Sequence, residues 1–473
     1  MASVLALLPP AVAAVLLLRG LRPTLAALIA YAVGLSALLV FPTSLATLLQ
    51  AEQRAAVTAA EVCAIILGGI TLDELARHAG TMAAVGSWLR TVTRDVPHAV
   101  LLITLGLTPF FESITGFGIG AVIALSLLAA VGVAGPKRAM LALLGLVAVP
   151  WGALAPGTLV AARLAGVSYR WLGTLSGMLS LPVFLVAGAA ALMLAVGRHA
   201  ALARWPLLLR GALSLWIGIT LVNAVLGTPL AGMLGSLLAI VALVVPLPRS
   251  ARSVGTPLVL RAFAPYLALV GLLLLGRLAA LLLTSVSTRV ATVIAHPVAA
   301  LTLTCAGFAM LERRAGREHA GWPRVVWQRW LPVAVTTLLF VLLGGVMIAS
   351  GMTVALAHLV SALGPAYVLT VPWVGGVGGF LTGSNTGANA MFAAAQAQAA
   401  SALGYSPLLM VAGQNVGAAL LTMASPPRVS LVLSLLDPAD RDPFISRLVL
   451  LVDGLALLAL SLLLAAGARA FPA

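Results

Sequence analysis

The sequence contains very little cysteine and very little charge. Its 473 residues include only two cysteines, Cys63 and Cys305, both inside apolar segments, so neither a disulfide framework nor a cysteine metal site is expected. Charged residues make up 8 % of the chain, whereas about 25 % is usual in soluble domains. His, Asp, Glu and Cys form no cluster at metal-ligand spacing, and no hydrophilic domain is present to hold a cofactor. We therefore predict no metal, no cofactor and no enzymatic activity.

What the sequence does contain is apolar, with 62 % hydrophobic residues and a mean hydropathy of +1.14. Apolar runs of about 18 residues or more recur along it, which predicts an all-α polytopic membrane protein with about 12 to 14 transmembrane segments. The net charge of +15 comes mainly from arginines between these runs. Such residues orient a chain in the bilayer, so we predict no nucleic-acid partner.

A polar, glycine-rich stretch, Gly-Gly-Phe-Leu-Thr-Gly-Ser-Asn-Thr-Gly-Ala-Asn at 378–389, interrupts the apolar pattern. A related element precedes it, because Ser113-Ile-Thr-Gly116 matches Ser384-Asn-Thr-Gly387 at one fixed offset. The same offset, without a gap, superposes Pro136 on Pro407 and Pro156 on Pro427. These three landmarks predict a duplicated module.

Each module contains an apolar piece that looks too short to cross a membrane. The segments 97–111 and 365–382 are below or at the edge of the roughly 20 residues that a crossing needs. Each leads to its Ser-x-Thr-Gly element and is followed by a second apolar piece. We predict discontinuous helices and re-entrant hairpins that turn at this element.

The arginine distribution predicts that the two modules have opposite orientations. If the loop at Arg19 and Arg22 is cytoplasmic, most of the 27 basic residues are cytoplasmic, and an odd number of crossings separates the hairpins. Arg94, Arg249, Arg252 and Arg317 are among the residues placed inside. The predicted regions are N-terminal transmembrane helices (1–54), a first repeat with its hairpin tip near 112–116 (55–200), connecting transmembrane helices with a basic cytoplasmic loop (201–325), and a second, inverted repeat with its tip near 383–389 (326–473).

The two turns have the chemistry of an anion site. Irregular backbone within the bilayer is tolerated where it lines a cavity, and a half-helix that starts at such a turn presents free N–H groups and its positive dipole end. A small carboxylate suits these donors. The predicted substrate-binding groups at the turns are those of Ser113, Thr115, Gly116, Ser384, Thr386 and Gly387.

Amides are concentrated in the second module, which contains three of the four asparagines of the chain, Asn385, Asn389 and Asn415. Asn385 and Asn389 lie beside the turn, and we predict that both bind substrate. Buried amides that only join helices to one another are the structural alternative.

Glu112 lies at the tip of the first hairpin, where desolvation favours the neutral carboxyl that a proton carrier requires. Its alternative role is to accept hydrogen bonds from backbone N–H groups of the turn. Arg428 is predicted to pair with a substrate carboxylate, or else to extend toward the cytoplasmic surface. Asp453 and Glu61 lie within apolar segments, and we expect either to form a structural ion pair with Arg277 or Arg428.

Four stretches resemble the lactate permease family. They are Phe111-Glu-x-x-x-Gly-Phe-Gly118, Gly379-Phe-Leu-Thr-Gly-Ser-Asn-Thr-x-x-Asn-Ala-x-Phe392, Leu403-Gly-x-x-Pro-Leu-Leu409 and Met423-Ala-Ser-Pro426. The resemblance implies proton-coupled symport of L-lactate, glycolate or a similar 2-hydroxymonocarboxylate across the inner (plasma) membrane. The paired turns are also similar to those of a wider ion-transporter superfamily, which implies elevator-like movement.

The sequence departs from that family pattern at Ser113, Gly120 and Asn385, where the family has Gly, Pro and commonly Asp. Without a carboxylate at 385, Glu112 is the obvious titratable group of the core. A carrier for another anion, a sodium-driven carrier, a membrane-embedded enzyme and a channel are the alternatives. The oligomeric state is not predicted.

Overall fold

The computed structural model describes residues 2–93, 95–245, 247, 256–283, 287–316 and 321–470. Arg94, Arg249, Arg252 and Arg317, which were predicted to be cytoplasmic, lie outside these residues.

Within these ranges the secondary-structure elements are all helices. Those of the first part of the chain are Ala2–Ala6 (α1), Leu8–Leu18 (α2), Pro23–Ser36 (α3), Leu45–His78 (α4), Thr81–Val92 (α5), Val96–Leu102 (α6), Thr108–Thr115 (α7), Ile119–Ala130 (α8), Pro136–Leu144 (α9), Pro156–Ala165 (α10), Tyr169–Leu179 (α11) and Leu181–Val196 (α12). The others are Arg198–Ala203 (α13), Trp205–Val225 (α14), Thr228–Val244 (α15), Thr256–Leu283 (α16), Thr288–Ile294 (α17), Pro297–Arg314 (α18), Trp322–Ala349 (α19), Met352–Ser361 (α20), Tyr367–Thr382 (α21), Asn385–Ala402 (α22), Pro407–Leu420 (α23), Pro426–Ser434 (α24) and Phe444–Ala470 (α25).

The structure confirms a polytopic helical membrane protein. By length and composition, 6 helices of the described ranges can cross a membrane, or up to 8 if each of two bent helix pairs is one span. Further apolar helices have only 10–17 residues. The apolar segments of the sequence are more numerous than the long helices because many segments are broken or short.

The first hairpin differs in one respect from the prediction. The helices α6 and α7 are joined by a π-helical segment, Ile103–Leu107, into one helix of 20 residues, so the piece predicted as too short is long enough to cross. It ends as predicted at the Ser-x-Thr-Gly element, where Gly116 has φ +66°, a conformation that glycine adopts without strain. The chain then returns through α8, which packs against α7.

The second hairpin begins with a sharp bend of 111° between α20 and the helix that follows it. The helix α21 has 16 residues and ends at Gly383, which has φ +64°. Ser384 then caps α22, because its Oγ accepts a hydrogen bond from the Gly387 N–H at 3.3 Å. The two Ser-x-Thr-Gly elements therefore lie on opposite sides of their turns, since Ser113 precedes its break and Ser384 follows it. Both breaks lie within the predicted tips, 112–116 and 383–389, but on different sides of the element.

The order of helices is the same in the two modules. In each, a long helix (α4 or α19) is followed by a short helix, a hairpin and two shorter helices that begin at prolines. Pro136 and Pro407 are the first residues of α9 and α23, as suits proline at a position that needs no N–H donor. This order agrees with a duplication. The inverted orientation and the four-region division remain predictions.

The modules contact each other through the first, long helix and the last short helix of each. The long helices α4 and α19 pack side by side, α10 lies along α22 of the second hairpin, and α24 contacts α8 of the first. The last short helix of each module thus meets the hairpin of the other, which places both turns in the interior.

Candidate functional site

Glu112 lies at the centre of the first hairpin and is 1 % exposed. Its Oε1 accepts a hydrogen bond from the Gly118 N–H at 3.1 Å, and its Oε2 accepts one from the Gly120 N–H at 3.0 Å. These donors belong to the turn and to the first residues of α8, where the positive end of the helix dipole favours an anion. A side chain at Gly120 would collide with the Glu112 Cβ at 2.8 Å, so the close approach depends on glycine.

Packing holds the helix that carries Glu112. Phe110 and Phe111 contact Phe263 and Tyr266 of α16, with ring centroids 5.3 to 6.0 Å apart. Aromatic pairs at these separations add stabilisation beyond their burial. The tip of the first hairpin is therefore anchored on the connecting helices.

Arg428 comes from α24 of the second module and meets both turns. Its Nη1 lies 3.6 Å from the Glu112 Oε1, and its Nε donates to the Gly383 carbonyl oxygen at 3.4 Å. Its methylene groups pack beside Gly118. The residue is 6 % exposed, which argues against the alternative that it extends toward the cytoplasmic surface. Its Nη1 has no hydrogen-bond acceptor within the described residues.

Asn415 is the centre of a second polar cluster. Its Oδ1 accepts hydrogen bonds from the Nδ2 groups of Asn385, at 2.9 Å, and Asn389, at 2.8 Å. Its own Nδ2 donates to the hydroxyls of Thr158, at 3.1 Å, and Ser176, at 3.0 Å, both from the first module. We call these five residues the amide cluster. It ties α22 and α23 to α10 and α11.

The start of α10 completes the amide cluster. The Asn389 Nδ2 donates to the Gly157 carbonyl at 3.2 Å and to the Asn385 Oδ1 at 3.1 Å, whereas the Asn389 Oδ1 has no donor among the described residues. A Cβ at Gly157 would lie only 2.6 Å from the Asn385 Nδ2, so a glycine is required for this approach. Gly383 and Asn385 are two residues apart, which brings the Arg428 contact and the amide cluster together at one turn.

The structure brings some of the predicted site residues together and not others. Glu112, Arg428, Asn385 and Asn389 meet around the turns. Ser113 and Thr115 are fully buried, and their hydroxyls donate to carbonyls four residues earlier, at 2.7 and 2.8 Å. The Ser113 hydroxyl lies next to Gly232 of α15.

The remaining predicted residues occupy the turns themselves. Gly116 forms the turn of the first hairpin. In the second hairpin, the Gly387 N–H donates to the Ser384 Oγ, which caps α22, and Thr386 is buried near the start of that helix. At the first turn, the Gly116 N–H donates to the Glu112 backbone carbonyl at 2.8 Å, and the N–H groups at the start of the next half-helix, those of Gly118 and Gly120, donate to the Glu112 carboxylate.

Asn415, Thr158 and Ser176 were missed as site residues. Asn415 could have been predicted from the sequence, because it is one of three asparagines in the second module of a chain with only four. Thr158 and Ser176 could not have been predicted, because hydroxyl side chains are common in transmembrane helices. Their hydrogen bonds to Asn415 join residues 257 and 239 positions apart.

The expected partners of the two acids in apolar segments were wrong. Glu61 contacts Arg163 and His296, each at 3.0 Å, and does not pair with Arg277 or Arg428. Asp453 is fully buried, and among the described residues no side chain hydrogen-bonds to it or forms an ion pair with it; its carboxyl group interacts with the backbone of Ala424.

Comparison with known proteins supports the family resemblance. A family model described as L-lactate permease matches residues 2–252 and 324–449. The L-lactate permease of Streptococcus iniae is 26 % identical over 384 residues, which cover 75 % of this chain and 80 % of that protein. The L-lactate permease of Escherichia coli (strain K12) is 42 % identical over 82 residues, but the alignment spans only 17 % of this chain and 15 % of the E. coli protein.

A solved structure shares the fold. The crystal structure of the Alcanivorax borkumensis YdaH transporter, described as having an unusual topology, superposes with a TM-score of 0.52 at 16 % identity, over 89 % of this chain and 87 % of that one. The fold is thus found in a transporter of distant sequence. Because the family model covers most of the chain, this multi-pass membrane protein belongs to the L-lactate permease family.

Proposed function

We propose that the protein is a secondary active transporter that carries L-lactate, or a similar short 2-hydroxymonocarboxylate such as glycolate, together with a proton across the inner membrane. The observation that supports this most directly is the position of Glu112. Its carboxylate accepts hydrogen bonds from two backbone N–H groups and lies beside a guanidinium. A substrate carboxylate would bind to the same groups.

Coupling follows from competition for these donors. While Glu112 is ionised, it neutralises Arg428 and accepts from Gly118 and Gly120, so a second carboxylate would bring an uncompensated negative charge into a buried site. Once Glu112 takes up a proton, it becomes a weaker acceptor and no longer balances Arg428. A substrate anion then restores the charge balance. Proton and anion therefore enter together, and release of both returns Glu112 to its donors.

The amide cluster supplies a partner for the second functional group of the substrate. A 2-hydroxymonocarboxylate carries a hydroxyl next to its carboxylate, and no group of the described residues donates a hydrogen bond to the Asn389 Oδ1. A buried polar atom left without a partner is unfavourable, so a ligand that donates to it gains free energy. We assign the carboxylate to the Arg428 side of the turn and the hydroxyl to Asn389.

Alternating access fits the arrangement of the two modules. Each turn is covered by the last short helix of the other module, so a shift of one module relative to the other opens the centre to one side. The four residues of the proposed site are each at most 6 % exposed, as expected of an occluded state. They are Glu112, Asn385, Asn389 and Arg428. Elevator-type movement of the hairpins against α4 and α19 is the form of this motion that we propose.

Uptake into proteoliposomes tests the proposal. Labelled L-lactate is supplied with an inward proton gradient, an inward sodium gradient or neither, and we expect accumulation only with the proton gradient. Glu112→Gln should abolish gradient-driven accumulation but retain lactate counterflow, because the variant mimics the protonated state. Glu52→Gln is the matched control, since Glu52 bonds to the Tyr31 hydroxyl away from the turns. Accumulation driven by sodium, or unchanged accumulation in Glu112→Gln, would contradict the proposed coupling.

A further inference from the structure

Asp453 is a second buried carboxyl that the proposed cycle does not use. It is the tenth residue of the 27-residue helix α25, roughly 14 Å from its start at 1.5 Å per residue, which places it inside a hydrocarbon layer about 30 Å thick. It is 0 % exposed, and within the described ranges no side chain hydrogen-bonds to its carboxyl group or pairs with it. Its carboxyl group interacts with the backbone of Ala424.

The helices that pack against α25 supply no counter-charge. Two of them, α12 and α23, contain no ionisable side chain, and the other three are α9, α11 and α21. The ionisable groups on these three and on α25 itself are Lys137, Arg138, Tyr169, Arg170, Tyr367, Arg447 and Arg469. None of them hydrogen-bonds to Asp453 or forms an ion pair with it. Arg428, the buried arginine of the neighbouring α24, pairs with Glu112 instead.

An ionised carboxylate in this position would be uncompensated. Moving an unpaired carboxylate from water into an apolar interior is far more costly than protonating it, so such groups become neutral instead. Intramembrane acids of this kind mark proton or ion pathways in transport proteins more often than structural contacts. Burial without a counter-charge therefore favours the neutral form of a carboxyl in this position.

We propose that Asp453 is a proton-binding site of the carrier, distinct from Glu112, and that it gains or loses its proton when the turn at 421–425 moves. This inference rests on the proposed function, because it assigns a second proton to the same cycle. The turn that contains Ala424 leads directly into α24, whose Arg428 contacts the substrate site. A movement of α24 during transport therefore changes the surroundings of both carboxyls at once. The reaction is protonation of a carboxylate alone, and it needs no other reactant.

Infrared spectroscopy of the purified protein tests the protonation without any substrate. A neutral carboxyl gives a C=O band that a carboxylate lacks, and labelling the aspartate side chains with ¹³C shifts this band while leaving that of Glu112 in place. Of the six aspartates, Asp73 and Asp95 pair with arginines, and Asp437, Asp440 and Asp442 are exposed or partly exposed. A ¹³C-sensitive neutral carboxyl at neutral pH therefore reports Asp453, and it should be absent in Asp453→Asn.

Transport assays then test the role of the proton. We expect Asp453→Asn, which keeps the shape and is always neutral, to retain lactate counterflow and to lose at least about tenfold in proton-driven accumulation. The pH dependence of uptake should flatten as well, whereas a purely structural acid would leave it unchanged. If Asp453→Asn does not fold, the ¹³C-labelled wild type still provides the infrared measurement, with its pH titration as the second readout.

Each outcome has a distinct meaning. A wild type without a ¹³C-sensitive neutral carboxyl overturns the inference whatever the transport result. A band that is present, combined with unchanged proton-driven accumulation in Asp453→Asn, overturns the proton-carrying role. Failure of the wild type to carry lactate or similar acids contradicts the proposed function instead, and the infrared result then decides the protonation of Asp453 by itself.

Discussion

The guanidinium of Arg428 lies 3.6 Å from the carboxylate of Glu112, although the two residues are more than 300 positions apart and belong to different modules. Arg428 also donates to the Gly383 carbonyl of the other turn. A single side chain thus contacts the turns of both hairpins. Any change in the charge of Glu112 is transmitted directly to the second module.

A double-mutant cycle at this pair is the first prediction. Arg428→Met should lower the free energy of unfolding by about 3–5 kcal/mol, because it leaves the Glu112 carboxylate buried without its partner. Adding Glu112→Gln should recover most of this loss. Thermal unfolding in detergent gives the loss of stability in each single variant and in the double variant. Additive losses in the double variant would show that the two side chains do not interact energetically.

Substrate selection is expected to depend on Asn389. Asn389→Ala removes the free acceptor assigned to the substrate hydroxyl, so the preference for L-lactate over propionate, which lacks the hydroxyl, should fall by about tenfold, as loss of one hydrogen bond implies. Competition of both acids with labelled lactate in counterflow gives the ratio. Asn223→Ala, at a buried amide outside the cluster, should leave it unchanged. An unaltered ratio in Asn389→Ala would place the hydroxyl elsewhere.

A methyl group at Gly157 should disrupt the amide cluster. Its Cβ would lie 2.6 Å from the Asn385 Nδ2, so Gly157→Ala must displace either Asn385 or the start of α10, and we expect lactate transport to fall at least about tenfold. Gly307→Ala in α18 is the matched control, because no atom of the described residues lies within 4 Å of a Cβ built there. That variant should gain up to about 1 kcal/mol of helix stability and keep full transport. Normal transport by Gly157→Ala would show that the close packing here is not required.

An ionic contact between the two long helices is expected to contribute to stability. Arg329 of α19 donates to Asp73 and Glu74 of α4 at 2.9 Å each, and both carboxylates are nearly buried. Because Arg77 still pairs with Asp73, Arg329→Ala should destabilise the protein by about 1.5–3 kcal/mol, as for loss of hydrogen bonds to charged groups. Arg324→Ala, at an exposed position on the same helix, should change stability by less than about 0.5 kcal/mol. Equal unfolding temperatures for the two variants would contradict the structural role of Arg329.

The hairpin turns could be located from the sequence because a run of hydroxyl and amide residues beside glycine is rare in so apolar a chain. Gly116 and Ser384 lie at breaks for this reason, and Glu112 was identified because acids are scarce in the chain. The exact side of each turn could not be predicted. Whether Ser-x-Thr-Gly ends one helix or begins the next depends on which residue adopts the positive φ angle, and that was Gly116 in one module and Gly383 in the other.

The sequence by itself determined the class of the protein, because 62 % hydrophobic residues with so few charges can fold only as membrane helices, and it determined where those helices break. Only the tertiary structure decided the partners of the polar groups. Arg428 pairs with Glu112, Asp453 has no side-chain partner among the described residues, and Asn415 accepts hydrogen bonds from Asn385 and Asn389, although the sequence pattern allowed other pairings. Hydrophobicity is a property of each segment and can be read locally. Hydrogen bonds and ion pairs extend only a few ångströms, so they depend on how distant segments are packed.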